Sequence, residues 1–140
     1  MIGPIAQSTE EEAKAIDDLL VEFNGSQVPF SQDPSFIPLN FHIKDKEGKL
    51  AAGINAFLYC WNILYIDMLF VDSAHRGRGY GRQLLRHVET KAMDLGAKLV
   101  HLDTFDFQAE GFYLKHGYEV YGILEGCPSG HRRFHLKKNL

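Results

Sequence analysis

A chain of 140 residues and 15.9 kDa has room for one domain with a hydrophobic core and not for two. Its formal charge of -3 argues against general polyanion binding, so nucleic acid is not expected as a partner. The greasiest stretch, 56–71, is interrupted by Asn62 and Asp67, and no run approaches the roughly 20 apolar residues of a membrane helix.

The amino terminus lacks a basic stretch followed by an apolar block, so a cytoplasmic address is the expectation. In chain order, Ser8 and Thr9 followed by Glu11 and Glu12 read as a helix start. Ala13, Ile16, Leu19, Leu20 and Phe23 then recur at helical spacing, which predicts a capped amphipathic helix over 9–23, stopped by Asn24-Gly25. Pro29, Pro34 and Pro38 break up the following stretch into an irregular loop able to overlie a binding site. Runs 39–44 and 50–59 flank the charged turn Asp45-Lys46-Glu47-Gly48 and predict an antiparallel hairpin, with a third strand over 64–71. Further on the period changes: Leu84, Leu85, Val88, Ala92 and Leu95 share one helical face that ends at Gly96. A strand over 98–104, a short helix over 108–116 stopped by Gly117, and strands over 118–124 and 131–138 follow. In the last of these, Phe134 and Leu136 alternate with charged residues, the pattern of an edge or near-edge strand with a solvated face. This order predicts an α/β fold: a mixed, mostly antiparallel sheet flanked by helices and covered on both faces, in a single domain spanning 1–140.

The sharpest signal is Arg76-Gly77-Arg78-Gly79-Tyr80-Gly81, where a strand has just ended and a helix begins. Glycines lack the Cβ that would hold a ligand away, so successive backbone N–H groups can converge on an anion while the helix dipole favours its charge. Arg76, Arg78 and Arg82 add positive charge, and the expected ligand is a phosphate or pyrophosphate. The glycines are too closely spaced for a dinucleotide fingerprint, and no Lys-Ser or Lys-Thr closes a P-loop. Glycines that merely relieve a tight turn would leave the arginines unexplained.

This run resembles the acetyl-CoA signature of the GNAT superfamily of N-acetyltransferases, in which an Arg or Gln precedes spaced glycines. A second pattern, Ala109, Tyr113, Gly117 and Tyr118, is similar to the family's Ala, Tyr, Gly, aromatic series. The likeness extends over about 51–118. It implies a GNAT-like acyl-CoA-binding fold, acetyl-CoA as co-substrate and no metal. It further implies that the amides of Gly77, Arg78, Gly79, Tyr80, Gly81 and Arg82, behind Arg76, hold the pyrophosphate. The pantetheine arm is then expected in a fork between the strand ending at Val71 and the one starting near Lys98, pairing near Leu69 and Val71. Tyr113 is the implied general acid. The family's asparagine is replaced by Asp106, which by type suits the N-cap of the short helix.

Asp67 lies in an otherwise apolar strand, where a carboxylate must pair, reach water or stay protonated. The stretch 64–71 is similar to the matching strand of diamine acetyltransferases, which implies a base or substrate contact at Asp67. A structural ion pair is the alternative. Asp103, Asp106 and Glu125 are further acids able to recognise positive charge. Cys60 and Cys127 are expected as free thiols, since neither sits in a closely spaced metal-ligand pair and nothing marks a secreted scaffold, and no triad-like context selects a cysteine and histidine pair for catalysis.

The expected activity is therefore acetyl transfer from acetyl-CoA to a small, cationic primary amine, in a ternary complex, by a protein that forms a homodimer through an edge strand or loop. Transfer to a protein amine, a non-catalytic acyl-CoA sensor, and an interaction domain without cofactor stay open.

Overall fold

The computed structural model describes residues 1–140, which divide into two compact units, Met1–Ser31 and Gln32–Leu140. In the first unit, helix α1 spans Glu10–Gln27. Its start is a full capping box: Thr9 Oγ1 accepts from the Glu12 amide at 3.1 Å, and Glu12 Oε1 accepts from the Thr9 amide at 3.0 Å. Asn24-Gly25 does not stop the helix, contrary to the sequence expectation. A Cβ on Gly25 would lie 2.8 Å from the Phe30 ring, so this glycine makes room for an aromatic and the helix runs on. Ile16, Leu19, Leu20 and Phe23 do form one stripe, and none of them is buried.

The second unit is a seven-stranded sheet with two helices. Strands β1 (Phe36–Pro38) and β2 (Phe41–Lys44) both pair with β3 (Leu50–Tyr59), followed by β4 (Ile63–Val71), helix α2 (Tyr80–Asp94), β5 (Leu99–Phe105), α3 (Glu110–Lys115), β6 (Glu119–Glu125) and β7 (Arg132–Asn139). The sheet order is β1-β3-β4-β5-β7-β6, and only β4 and β5 run parallel. The strand expected at 39–44 starts only at Phe41, and β1 forms in what reads as loop; Leu39 and Asn40 separate them, the Leu39 amide donating to Ala56 O and Asn40 Oδ1 accepting from the Ala56 amide.

Alternation explains the core. Ile54, Leu58, Leu64, Ile66, Val100, Leu102 and Leu136 face one way and are fully buried with Leu85 and Val88 of α2, each contributing on the order of 1.5–3 kcal/mol. Leu95, expected on the same helical face, stays 45% exposed because α2 ends before it. α3 lies beside α2, with Phe112 within 3.5 Å of where a Gly81 Cβ would sit. Both helices of this unit occupy one face of the sheet. The opposite face carries the half-buried rings of Phe57, Tyr59, Tyr65 and His101, so within this unit cover is complete on one side only.

Strand β7 lies between β5 and β6, next to the edge, and its charges are not simply solvated. Arg133 is paired with Asp103, and Lys138 Nζ lies 3.1 Å from Glu89 Oε2.

Candidate active site

Two irregularities open a cleft. The β4–β5 pairing covers only Ile63–Ile66 against Leu99–Leu102, although β4 continues to Val71 and β5 to Phe105. In the β3–β4 register Asn55 faces Met68 and Ala56 faces Ile66, which leaves Asp67 as the extra residue of a β-bulge. Bulges bend the strand that carries them and re-aim its side chains. Beyond the bulge β4 swings away from β5, and its backbone edge there is unpaired on that side. The resulting cavity, of about 560 Å³, is lined by residues 67–71, by Arg76 and Gly81, and by Asp103, Phe112 and Tyr113.

The glycine run stands at the mouth of this fork. Asp72 caps a short 3-10 turn, Ser73–His75, by accepting from the Ala74 amide at 3.2 Å. Gly77 and Gly79 then take φ of +77° and +82°, and a Cβ at either would meet nothing within 4 Å. Backbone conformation, not crowding, is therefore what demands glycine here. Gly79 is the N-cap of α2 and offers no side-chain cap, so the first amides of the helix are free to receive an anion. Arg76 folds back, its Nε donating to Val71 O at 3.1 Å, which occupies one of the two strand residues expected to meet pantetheine.

Tyr113 is 5% exposed and borders the cleft from α3. Burial pushes its phenol up to about 12, so it stays protonated across the ordinary range. Its hydroxyl is not tied to a carboxylate. Tyr118 differs: its hydroxyl donates to Glu89 Oε2 at 2.6 Å in a buried cluster completed by Lys138, and burial followed by that bond raises its phenol well above the usual value. Nothing in the local sequence distinguishes the two tyrosines, because Glu89 and Lys138 reach Tyr118 from α2 and β7.

The acids also separate. Asp67 is exposed, lines the cleft and makes no ion pair. Asp103 lines it too, but accepts from Tyr65 Oη at 2.8 Å and from Arg133 Nε at 2.9 Å. Burial and then that bond push the Tyr65 phenol up to about 12. Asp106 does not cap α3, whose N-cap is Ala109. It accepts instead from the Arg132 amide at 2.9 Å and shares 2.9 Å with His131 Nδ1, fastening the loop after β5 to β7. Burial acts to raise its carboxyl, and the Arg132 amide with His131 outweighs that and holds it below the usual range. Glu125 is exposed at the end of β6 and does not line the cleft. Cys60 and Cys127 are both free, with Cys60 buried.

A strand fork, a glycine turn with free helix amides and a buried tyrosine thus border one cleft. The acetyltransferase (GNAT) family profile matches residues 9–118. The chain belongs to that family. A crystallised acetyltransferase from Bacillus cereus ATCC 14579 superposes with a TM-score of 0.86 and 35% identity, covering 99% of this chain and 98% of that one. Blasticidin-S acetyltransferase of Streptomyces morookaense is 34% identical over 96 residues, 68% of this chain and 70% of its own length. Peptidyl-lysine N-acetyltransferase YjaB of Salmonella typhimurium LT2 is 40% identical over 61 residues, 44% of this chain and 40% of its own. GNAT membership supports acetyl-CoA-dependent acetyl transfer as the general activity, and the mixed, mostly antiparallel sheet with flanking helices is the GNAT architecture.

Proposed function

We propose that this GNAT protein acetylates a small, cationic primary amine by direct transfer within a ternary complex. The observation that carries the reading is the composition of the forked cleft: a protonated tyrosine at one wall and an unpaired carboxylate, Asp67, at another. Acetyl-CoA would supply the activated acetyl group as a thioester. Amides of residues 77–82, with Arg78 and Arg82, hold its pyrophosphate, and the edge of β4 at Leu69 receives the pantetheine amides as a strand would, with Val71 O joining once Arg76 Nε gives it up.

Chemistry then needs an amine without its extra proton and a proton for the departing sulfur. Asp67 takes the first, directly or through a water molecule, because Asp103 is already satisfied by Arg133 and Tyr65. Tyr113 delivers the second as the nitrogen lone pair forms the new C–N bond and the C–S bond breaks, and the surplus proton on the new amide nitrogen passes through water to the tyrosinate, restoring the phenol. A phenol near 12 is a poor donor to an ordinary thiolate near ~8.5. Burial in the same cleft raises a sulfur as well, which narrows the gap.

The YjaB relative favours a second acceptor class, the lysine of a protein. Against it stands the longer match to blasticidin-S acetyltransferase. A screen for free CoA release, with small amines and intact proteins in competition, tests the choice. Small cationic amines are expected to win, and Asp67→Asn to lower their preference over neutral amines while leaving acetyl-CoA affinity within about twofold. Turnover with intact proteins only, uninhibited by small amines, would reassign the acceptor.

A further inference from the structure

We infer that α1 of one copy lies across the open sheet face of a second copy, the two copies exchanging helices about a two-fold axis. Each half of this contact is visible by itself. On α1, Ile16, Leu19, Leu20 and Phe23 are 58%, 65%, 58% and 57% exposed. They occupy i, i+3, i+4 and i+7, the spacing of a helix face built to be covered. No residue of α1 is buried, yet an amphipathic helix in a protein draws most of its stability from packing that stripe.

The second surface is the sheet face opposite α2. Phe57, Tyr59, Tyr65 and His101 form a connected aromatic cluster there, with ring centroids 5.0–6.1 Å apart, and all four are half-buried. Phe36, Met68 and Phe70 extend it with exposures of 53%, 60% and 61%. An apolar patch of this kind marks an interaction surface. Dimensions agree: an 18-residue helix is about 27 Å long, and the five strands from β3 to β6 span roughly 19 Å.

Charge selects the occupant. α1 carries Glu10, Glu11, Glu12, Asp17, Asp18 and Glu22 against Lys14 alone, formally -5. The first unit has no other charged side chain and the whole chain is -3, so the second unit is left at +2. Lys137 and His135 project from β7 on the open face, in register with His101 and Asp103. An acidic, apolar helix and a unit of opposite net charge with an aromatic face are complementary, although on that face Lys137 is shared with Glu119 at 3.7 Å and Arg133 is held by Asp103, and both surfaces belong to this chain. A reciprocal exchange between two copies satisfies both surfaces twice with one closed symmetry. This contact differs from the edge-strand or loop dimer expected from sequence, and it does not depend on the acetyl acceptor.

The test uses the full chain. Sedimentation at micromolar concentration is expected to give twice the 15.9 kDa chain mass, and a monomer would overturn the inference. Unlabelled and heavy-nitrogen chains, mixed in denaturant and refolded together, are then treated with an amine-reactive cross-linker. Lys14 of α1 is expected to join Lys137 of β7 in mixed-label pairs. Same-label pairs alone would mean that α1 covers its own chain, and a dimer without this cross-link would mean another interface; either overturns the inference. The variant Leu19→Asp/Phe23→Asp is expected to sediment as a monomer that keeps the cooperative thermal unfolding of the second unit, since neither residue belongs to its core, and to lose helical circular dichroism from α1, whose stripe is then uncovered. Persistence of its dimer would also overturn the inference, and the cross-link on the unmodified chain stands whether or not the variant folds.

Discussion

Tyr113 and Tyr118 are five residues apart, both almost fully buried, with rings 5.5 Å from one another, yet only the Tyr118 hydroxyl is bound to a carboxylate. Removing the Tyr118 hydroxyl leaves Glu89 short of a hydrogen bond in a buried cluster, a loss of about 1–3 kcal/mol. Tyr118→Phe is thus expected to lower thermal stability while kcat changes little. Tyr113→Phe keeps the ring and removes a hydroxyl with no carboxylate partner, so stability and acetyl-CoA affinity by calorimetry should hold while kcat falls by about 10²-fold. Unchanged kcat, with chemistry limiting, removes Tyr113 from the acid role. Alkaline titration adds a check on its environment. In the folded chain Tyr113 keeps its proton up to about 12, whereas an unfolded phenol releases it near ~10. Its stabilising contribution is therefore complete below about pH 10 and disappears as pH rises through about 12. Between those values the unmodified chain is expected to lose melting temperature more steeply than Tyr113→Phe.

Among the elements, the strand-to-helix turn was the most legible in sequence because its glycines answer to local backbone geometry. Gly77 and Gly79 are in the left-handed region, with room around both. Gly79→Ala should cost about 1 kcal/mol from that conformation alone and weaken acetyl-CoA binding by displacing the first amides of α2. Gly81→Ala should be milder for folding, its Cβ meeting Phe112 and Val71 at ordinary contact distances of 3.5 and 3.6 Å. Thermal melts and calorimetry on the pair check the ordering. Other features lay beyond local reading. The bulge at Asp67 exists only in the register of β3 on β4, and alternation by itself would have set Asp67 in an unbroken strand. Asp106 has the right type for an N-cap, but His131 and Arg132, 25 and 26 residues away in sequence, claim it. Arg133 looked like a solvated charge until the β5–β7 pairing brought Asp103 beside it. Gly25 has the type of a helix stop, and a ring five residues later reassigns it to packing.

For the molecule as a whole, ligand binding and stability are linked through the fork. The pairing of β4 with β5 ends at Ile66 and Leu102, so the lower strand edges contribute little to one another until something fills the gap. A ligand that binds only the folded chain stabilises it by about 2.7 kcal/mol at 100 times its Kd, which for a domain of this size raises the melting temperature on the order of 10 °C. Acetyl-CoA is expected to do so, and the shift should shrink with added salt because Arg78 and Arg82, the cations proposed to hold the pyrophosphate, are exposed and their attraction would be screened. Acetylated pantetheine has the same thioester and amides but no phosphate. It can reach the β4 edge and Tyr113 without engaging residues 77–82, so its shift at equal concentration should be much smaller. Equal shifts for the two ligands, insensitive to salt, would mean that the glycine turn is a structural corner and that binding resides in the fork alone.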